Sequence, residues 1–365
     1  MKKISKLIII IVLAAVCLSG CGKTVSAQKY SAEFYDTFDT VVSITAYCKD
    51  DAEFKALSSE IHSLLQYFHR LYDIYNEYDG MVNARTLNEN AGRGEVEATP
   101  ELLEILEFSK EMHKKTDGCV NIAMGSVLKL WHEAREASLA DPQNAYIPSD
   151  AELAEAAKHC NIDDLVIKRY SADGTNAGAA ASGNTEKLYA GTVRFADPEM
   201  TIDLGAVAKG FAVEKIAQNL EAEGKTSILI SAGGNVRTIG TKPGNEKWSV
   251  AVQNPVEGSS ESYADILKLE NSSLVTSGVN QRYYEYNGAH YHHIIDCDTL
   301  HPENRYLSVS ILTRDSALAD ALSTAVFNME PEEGVAFVNS LEGVEALWIL
   351  PDGTSRFSDG YEAFR

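Results

Sequence analysis

Alternating and helical hydrophobic patterns follow one another along this chain without strict alternation, and that order restricts the fold more than any other feature. A doubly wound parallel sheet needs strand and helix in regular turn. Mixed order favours an α+β architecture instead, with helices packed on separate sheets. Residues 40–47 read as a strand. Phe54, Leu57, Ile61, Leu64, Leu65, Phe68 and Leu71 then recur at helical spacing and predict a long amphipathic helix. Stretch 76–93, rich in Asn, Gly and Asp, predicts loop. Thr99-Pro100 opens a second helix, with Thr as N-cap and Pro at the first helical position; Leu102, Ile105, Leu106 and Met112 supply its apolar stripe. Ser149 and Glu152 make a capping box for another helix. Strands at 165–170 and 187–195 flank a Gly/Ala/Ser/Asn tip, 171–185. The centre is strand, helix, strand at 200–204, 207–221 and 227–231. Further strands are expected at 248–253, 264–269, 308–313 and 346–350, a helix at 316–329, and a hairpin turn at Asp359-Gly360.

The first residues bear on compartment. Lys2, Lys3 and Lys6 precede an apolar run from Leu7 to Leu18, shorter than the roughly 20 residues that span a bilayer. It fits a signal-peptide core. Leu18-Ser19-Gly20-Cys21 looks like a bacterial lipobox, which implies cleavage before Cys21 and acylation of its thiol. The expected plan is a signal peptide at 1–20, a lipidated cysteine and tether at 21–29, and one catalytic domain at 30–365. The expected place is the extracytoplasmic face of the cell membrane. Cys48, Cys119, Cys160 and Cys297 lie far apart with no C-x-x-C pair, so zinc-ligand spacing is absent. Two disulfides and buried free thiols both remain open. With 32 basic and 53 acidic residues the net charge is −21. Such a surface lacks the basic face that nucleic acid requires.

Four segments could carry chemistry. In Asp203-Leu204-Gly205-Ala206-Val207-Ala208-Lys209-Gly210 a strand end passes through Gly into a helix start. Free backbone N–H groups and a positive dipole end suit phosphate there, with Lys209 adding a cation. A plain strand–helix turn capped by Asp203 accounts for the same residues. Ser231-Ala232-Gly233-Gly234-Asn235 leaves room for a ligand against the backbone, but it is no G-x-G-x-x-G and reads by itself as a tight turn. In His290-Tyr291-His292-His293 the first and third residues share one strand face. A metal, an acid/base role and a phosphate-facing role all fit. Asp320 and Thr324 stand at i and i+4 on one helix face, and their oxygens are hard donors that suit Mg²⁺. A capped helix with a solvated Asp would explain them as well.

Together these segments resemble the ApbE family of FAD:protein FMN transferases. The matching pieces run in order: Asp39-Thr40-Val41, Leu87-Asn88, Thr116-Asp117-Gly118, Asp203 to Gly210, Ser231 to Asn235, Ser277-Gly278, His293-Ile294-Ile295-Asp296 and Ala319 to Ala325. The first and last of the chemical segments, D-L-G-A-x-A-K-G and A-D-A-L-x-T-A, are the most specific. The resemblance implies an α+β fold of mixed, largely antiparallel sheets with packed helices, similar to the T-fold. It implies Mg²⁺ held by the Ala206 carbonyl, Asp320 and Thr324, and FAD contacts from Asn88, Cys119, Val120, Asn121, Asp203 and Lys209. The implied reaction transfers FMN from FAD to a Thr or Ser hydroxyl of an exported or membrane-bound flavoprotein, releasing AMP. His293 is the candidate base. An FAD pyrophosphatase giving FMN and AMP, and a non-catalytic FAD-binding lipoprotein, are the alternatives. Two departures stand out. The family's H-I-I-D-P-x-T-G reads His293-Ile294-Ile295-Asp296-Cys297-Asp298-Thr299-Leu300 here, which should change the turn, and Asn121 replaces a common Asp.

Overall fold

The computed structural model describes residues 27–170, 189–280 and 282–365. The leader, Cys21, most of the tether, the tip 171–185 and the first residues of the strand expected from 187 lie outside them. β1 (Gln28–Thr37) and β2 (Thr40–Cys48) form a hairpin whose loop residues, Phe38 and Asp39, have φ of 55° and 50°. Two left-handed residues match the twist of the flanking strands. Helix α1 (Asp51–Tyr72) buries Phe54, Leu57, Ile61, Leu65, Phe68 and Leu71, as their spacing predicts. The stretch expected to be loop contains a short helix, α2 (Ala84–Glu89), closed by a capping box of Asn83 and Thr86. Six residues are too few for a hydrophobic period to show.

β3 (Val96–Ala98) and α3 (Pro100–Lys115) follow, with Thr99 as cap. Helix α4 (Gly125–Ala140) was not anticipated, although Val127, Trp131 and Ala134 do recur at helical spacing. α5 (Asp150–Ala157) has the expected capping box. β4 (Leu165–Arg169) and β5 (Gly191–Phe195) make a small three-stranded sheet with β3. Then come α6 (Ala208–Ala222), β6 (Ile228–Ala232), β7 (Asn235–Ile239), β8 (Trp248–Gln253), β9 (Tyr263–Leu269) and β10 (Ser273–Gly278). β11 (Tyr283–Tyr286), β12 (Ala289–His292), β13 (Ser308–Thr313), α7 (Ser316–Asn328), α8 (Pro331–Asn339), β14 (Glu345–Ile349) and β15 (Ser355–Phe357) complete the order.

Eight strands form the main sheet in the order β1-β2-β6-β7-β10-β13-β14-β15, each pair antiparallel. Its alternation sorts side chains onto two covered faces. Val309, Ile311, Ala346 and Trp348 join the large core beneath α1, α6 and α7. Leu312, Leu347 and Ile349 meet the β8–β9 hairpin on the other side. A third cluster joins α4 and α5 to the β11–β12 hairpin.

Two expectations need correction. Residues 200–204 are not a strand. Thr201 makes one isolated bridge to Met124, while Asp203 N–H donates to Ile122 O and the Asn88 side chain holds Ile202 through both its N–H (2.8 Å) and its C=O (3.0 Å). A side chain of α2 and the carbonyl before α4, not a neighbouring strand, satisfy this backbone. Asp359-Gly360 turns no hairpin either. It leads into a short 3₁₀ turn, Tyr361–Phe364, and the β14–β15 reversal occurs at 351–354.

Candidate active site

The two central hairpin loops touch. Gly233 (φ 53°) and Gly234 (φ 88°) connect β6 to β7, and a Cβ at Gly233 would meet Thr40 Oγ1 at 2.2 Å. The tight-turn reading is correct, and the turn also forms the wall of a cavity of about 810 Å³. Cys119, Val120, Asn121, Asp203, Ala206, Lys209, His293, Asp320 and Thr324 all line it. Segments separated by more than a hundred residues thus converge.

Asp320 sits on the first turns of α7, 5 % exposed. Its Oδ2 accepts the Gly210 N–H from the start of α6 at 2.7 Å. The helix terminus that the sequence offered to phosphate therefore commits one of its N–H groups to a carboxylate of the protein. Gly210 permits this approach. A Cβ there would lie 2.3 Å from Ser316 O and 2.4 Å from Asp320 Cβ. Burial raises the pKa of Asp320 above the usual carboxylate range, while Lys209 and the Gly210 N–H oppose that shift. Asp203 is raised too, again by burial; its Oδ1 accepts from Gly205 N–H at 2.7 Å, and no side chain caps α6 directly.

The other oxygen of Asp320 has no hydrogen-bond partner among the described residues. It shares the cavity with the Thr324 hydroxyl and Ala206. One carboxylate, one hydroxyl and one carbonyl are hard oxygen donors, and that set fits Mg²⁺. No three His, Cys, Asp or Glu side chains gather as a metal cluster among the described residues.

The three histidines part company. His290 is exposed and pairs with Glu285 at 3.1 Å. His292 is buried, donating from Nε2 to Glu303 O and accepting the Ile294 N–H at Nδ1, so its ring serves the fold. His293 follows the end of β12 and projects into the cavity, where solvent reaches it. The enclosing wall, then the Arg282 cation, then His292 and Lys209 hold its pKa well below the ordinary histidine range. Its imidazole is neutral at pH 7.

Asn88 is not part of the cavity wall. Its side chain acts through Ile202, one residue before Asp203. Asn121 lines the cavity and also braces it, donating to Cys160 O at 2.9 Å and accepting from Ala123 N–H. An Asp could not make the first bond. Cys48, Cys119, Cys160 and Cys297 are free thiols. Burial, then the Asp296 carboxylate, pushes Cys119 up to about 11. The D-C-D-T-L turn keeps a left-handed position despite its lost Gly. Leu300 has φ 63°, held where its N–H donates to Asp296 O and its C=O accepts from Trp131 Nε1.

Sequence reasoning missed the opposite wall. Trp131 stacks on Tyr291, which packs near Tyr284 and Tyr286. Tyr75 and Arg282 stand at the same cavity, Tyr75 at 57 % exposure. An arginine facing a pocket in so acidic a chain was the available signal.

A sequence profile of the ApbE family matches residues 38–348. The chain belongs to the ApbE family. Its relatives include the FAD:protein FMN transferase of Treponema pallidum, 32 % identical over 354 residues that cover 94 % of this chain and 90 % of the relative. A Klebsiella pneumoniae protein of the same description is 25 % identical, covering 81 % and 82 %. The ApbE protein of Thermotoga maritima superposes with a TM-score of 0.75 at 24 % identity, covering 92 % of this chain and 99 % of that one. The flavin transferase ApbE of Vibrio cholerae gives 0.73 at 23 %, covering 93 % and 100 %. The α+β fold of the ApbE family is thus this chain's fold.

Proposed function

We propose that this ApbE-family chain moves FMN from FAD onto a Thr or Ser hydroxyl of an acceptor flavoprotein and releases AMP. The observation that carries this is the convergence of Asp203, Lys209, His293, Asp320 and Thr324 on one cavity. The acceptor oxygen would form a bond to the phosphorus of the FMN half, while the bond from that phosphorus to the AMP oxygen breaks. Lys209 and Arg282 supply positive charge for the phosphate oxygens. Ala206, Asp320 and Thr324 would hold Mg²⁺, which neutralises charge on the leaving phosphate.

His293 would take the acceptor proton. In the free chain its depressed pKa makes it a weak base, since the best general base titrates near the working pH. The anionic pyrophosphate of FAD would offset Arg282 and Lys209 and raise it. His293→Ala should therefore slow transfer roughly 10²–10⁴-fold. The acid limb of kcat/KM for FAD, which reports the free enzyme, should lie below the ordinary histidine value of about 6.5. A near-normal rate in the variant would remove His293 from this role.

The lipobox supports anchoring through acylated Cys21 on the extracytoplasmic membrane face; no helix among the described residues is long and apolar enough to cross a membrane. Metabolic labelling with a fatty acid, lost in Cys21→Ala, tests it. For the reaction, the chain from Lys23 onward is incubated with FAD, Mg²⁺ and an acceptor flavoprotein, and the acceptor is weighed. Gain of one FMN, abolished by EDTA, supports transfer. Free FMN and AMP without gain support the pyrophosphatase, and unchanged FAD the carrier.

A further inference from the structure

β10 outruns its neighbour on one side. Ser273, Leu274 and Val275 pair with Arg237, Val236 and Asn235 of β7, which then turns away through Gly234 and Gly233. On the other side, pairing with β13 continues to Gly278 opposite Ser308. Val279 N–H donates to Leu307 O on the β13 side at 3.1 Å, whereas Thr276 N–H donates to Gly234 O on the β7 side at 3.0 Å. Alternate residues of an antiparallel strand direct both N–H and C=O to the same neighbour. Gly278 therefore directs its two groups where Thr276 does, past the end of β7, and no strand stands there among the described residues.

This open edge faces the cavity, whose wall includes Thr276, Ser277 and Gly278. Ser277 Oγ lies 2.7 Å from Ser323 Oγ on α7, next to Thr324. This edge, without a strand neighbour on the β7 side among the described residues, thus sits beside the oxygens expected to handle the phosphates. Unpaired strand edges invite another strand.

We infer that Gly278 is the docking edge for the acceptor: an extended segment of that protein adds a short strand beside β10 and so presents its hydroxyl to the cavity. The inference rests on the transferase reading, which requires a protein hydroxyl to enter this space. An extended backbone carries the alternating donors and acceptors that complete the ladder. Main-chain pairing supplies affinity, leaving side-chain pockets to set specificity.

The test uses an acceptor that the wild-type chain labels with FMN; absence of labelling altogether would overturn the transferase reading and this inference with it, whereas with labelling established the exchange result tests the docking edge alone. Amide hydrogen exchange is followed in the FAD-loaded chain with that acceptor, its target hydroxyl residue replaced by Ala. The Gly278 amide should slow at least about fivefold with acceptor and not with FAD alone. Exchange unaffected by acceptor, or slowed equally by FAD alone, overturns the proposal. Gly278→Pro, which deletes the N–H, should raise KM for the acceptor about tenfold, and by more than it weakens FAD binding. An unchanged acceptor KM, or an equal loss of FAD binding, would count against it; if the variant fails to fold, the exchange result decides.

Discussion

The two walls of the cavity are built on different principles. One is made where α6 meets α7, and it depends on backbone approaching side chain: Gly210 N–H on Asp320, with no room for a Cβ. The other is made where α4 meets the β11–β12 hairpin, and it depends on ring packing: Trp131 on Tyr291. The first wall holds the groups suited to charge. The second holds area suited to a planar ligand. Each half of the first wall is a short run of consecutive residues that the sequence shows, although Gly210 and Asp320 lie 110 positions apart; the second draws on single rings 160 positions apart that no local pattern marks.

The sharpest way to break the second wall is Trp131→Ala. The ring is buried and its Nε1 donates to Leu300 O, so truncation should cost about 3–5 kcal/mol of stability, measured by denaturant unfolding. Asp320→Asn tests the first wall with smaller effect on folding. Transfer should fall roughly 10²–10³-fold, about 2.7–4 kcal/mol of transition-state stabilisation, while the thermal midpoint without cation stays the same or rises. The sign follows from burial. A raised carboxylate pKa favours the protonated fold, so stability from this group is lost as pH rises through the raised pKa. For the same reason Mg²⁺, which needs the ionised carboxylate, should raise the wild-type midpoint more at pH 8 than at pH 5.5. The gain would be about 2.7 kcal/mol at a hundredfold excess over Kd. An equal shift at both pH values, or in the Asn variant, would remove Asp320 from the metal site.

Gly210→Ala should cost about 1–3 kcal/mol, since the new methyl overlaps Ser316 O and Asp320, and it should impair transfer more than Trp131→Ala does per unit of lost stability. The smallest effect belongs to Leu300→Gly. Relieving a left-handed leucine should return about 1 kcal/mol, offset in part by the entropy of glycine in the unfolded chain. A destabilised Gly variant would show that the Leu side chain contributes more packing than its backbone conformation costs.

Much of the fold was legible because its signals are local. Thr99-Pro100, the Ser149–Glu152 capping box and the apolar stripe of α1 state their structure within a turn or two. The 200–204 segment misled because alternating apolar residues read as a strand, whereas its hydrogen bonds go to Asn88 and Ile122, far away in sequence. Asn88 teaches the same lesson about long-range bonds. Its motif carried family information, but only the folded chain shows that its side chain holds the Ile202 backbone.

By itself the sequence determined the residue types of the charged wall, the family resemblance and the mixed α+β order, because each is encoded in contiguous spacing. Only the tertiary structure decided that Gly210 gives its N–H to Asp320, that His293 stays open to the cavity while His292, in the same wall, spends its ring nitrogens on the fold, and that Gly278 has no strand neighbour on the β7 side among the described residues. Those outcomes depend on which strand ends first and which helix start meets which carboxylate. Such facts arise from long-range packing and have no local period to read.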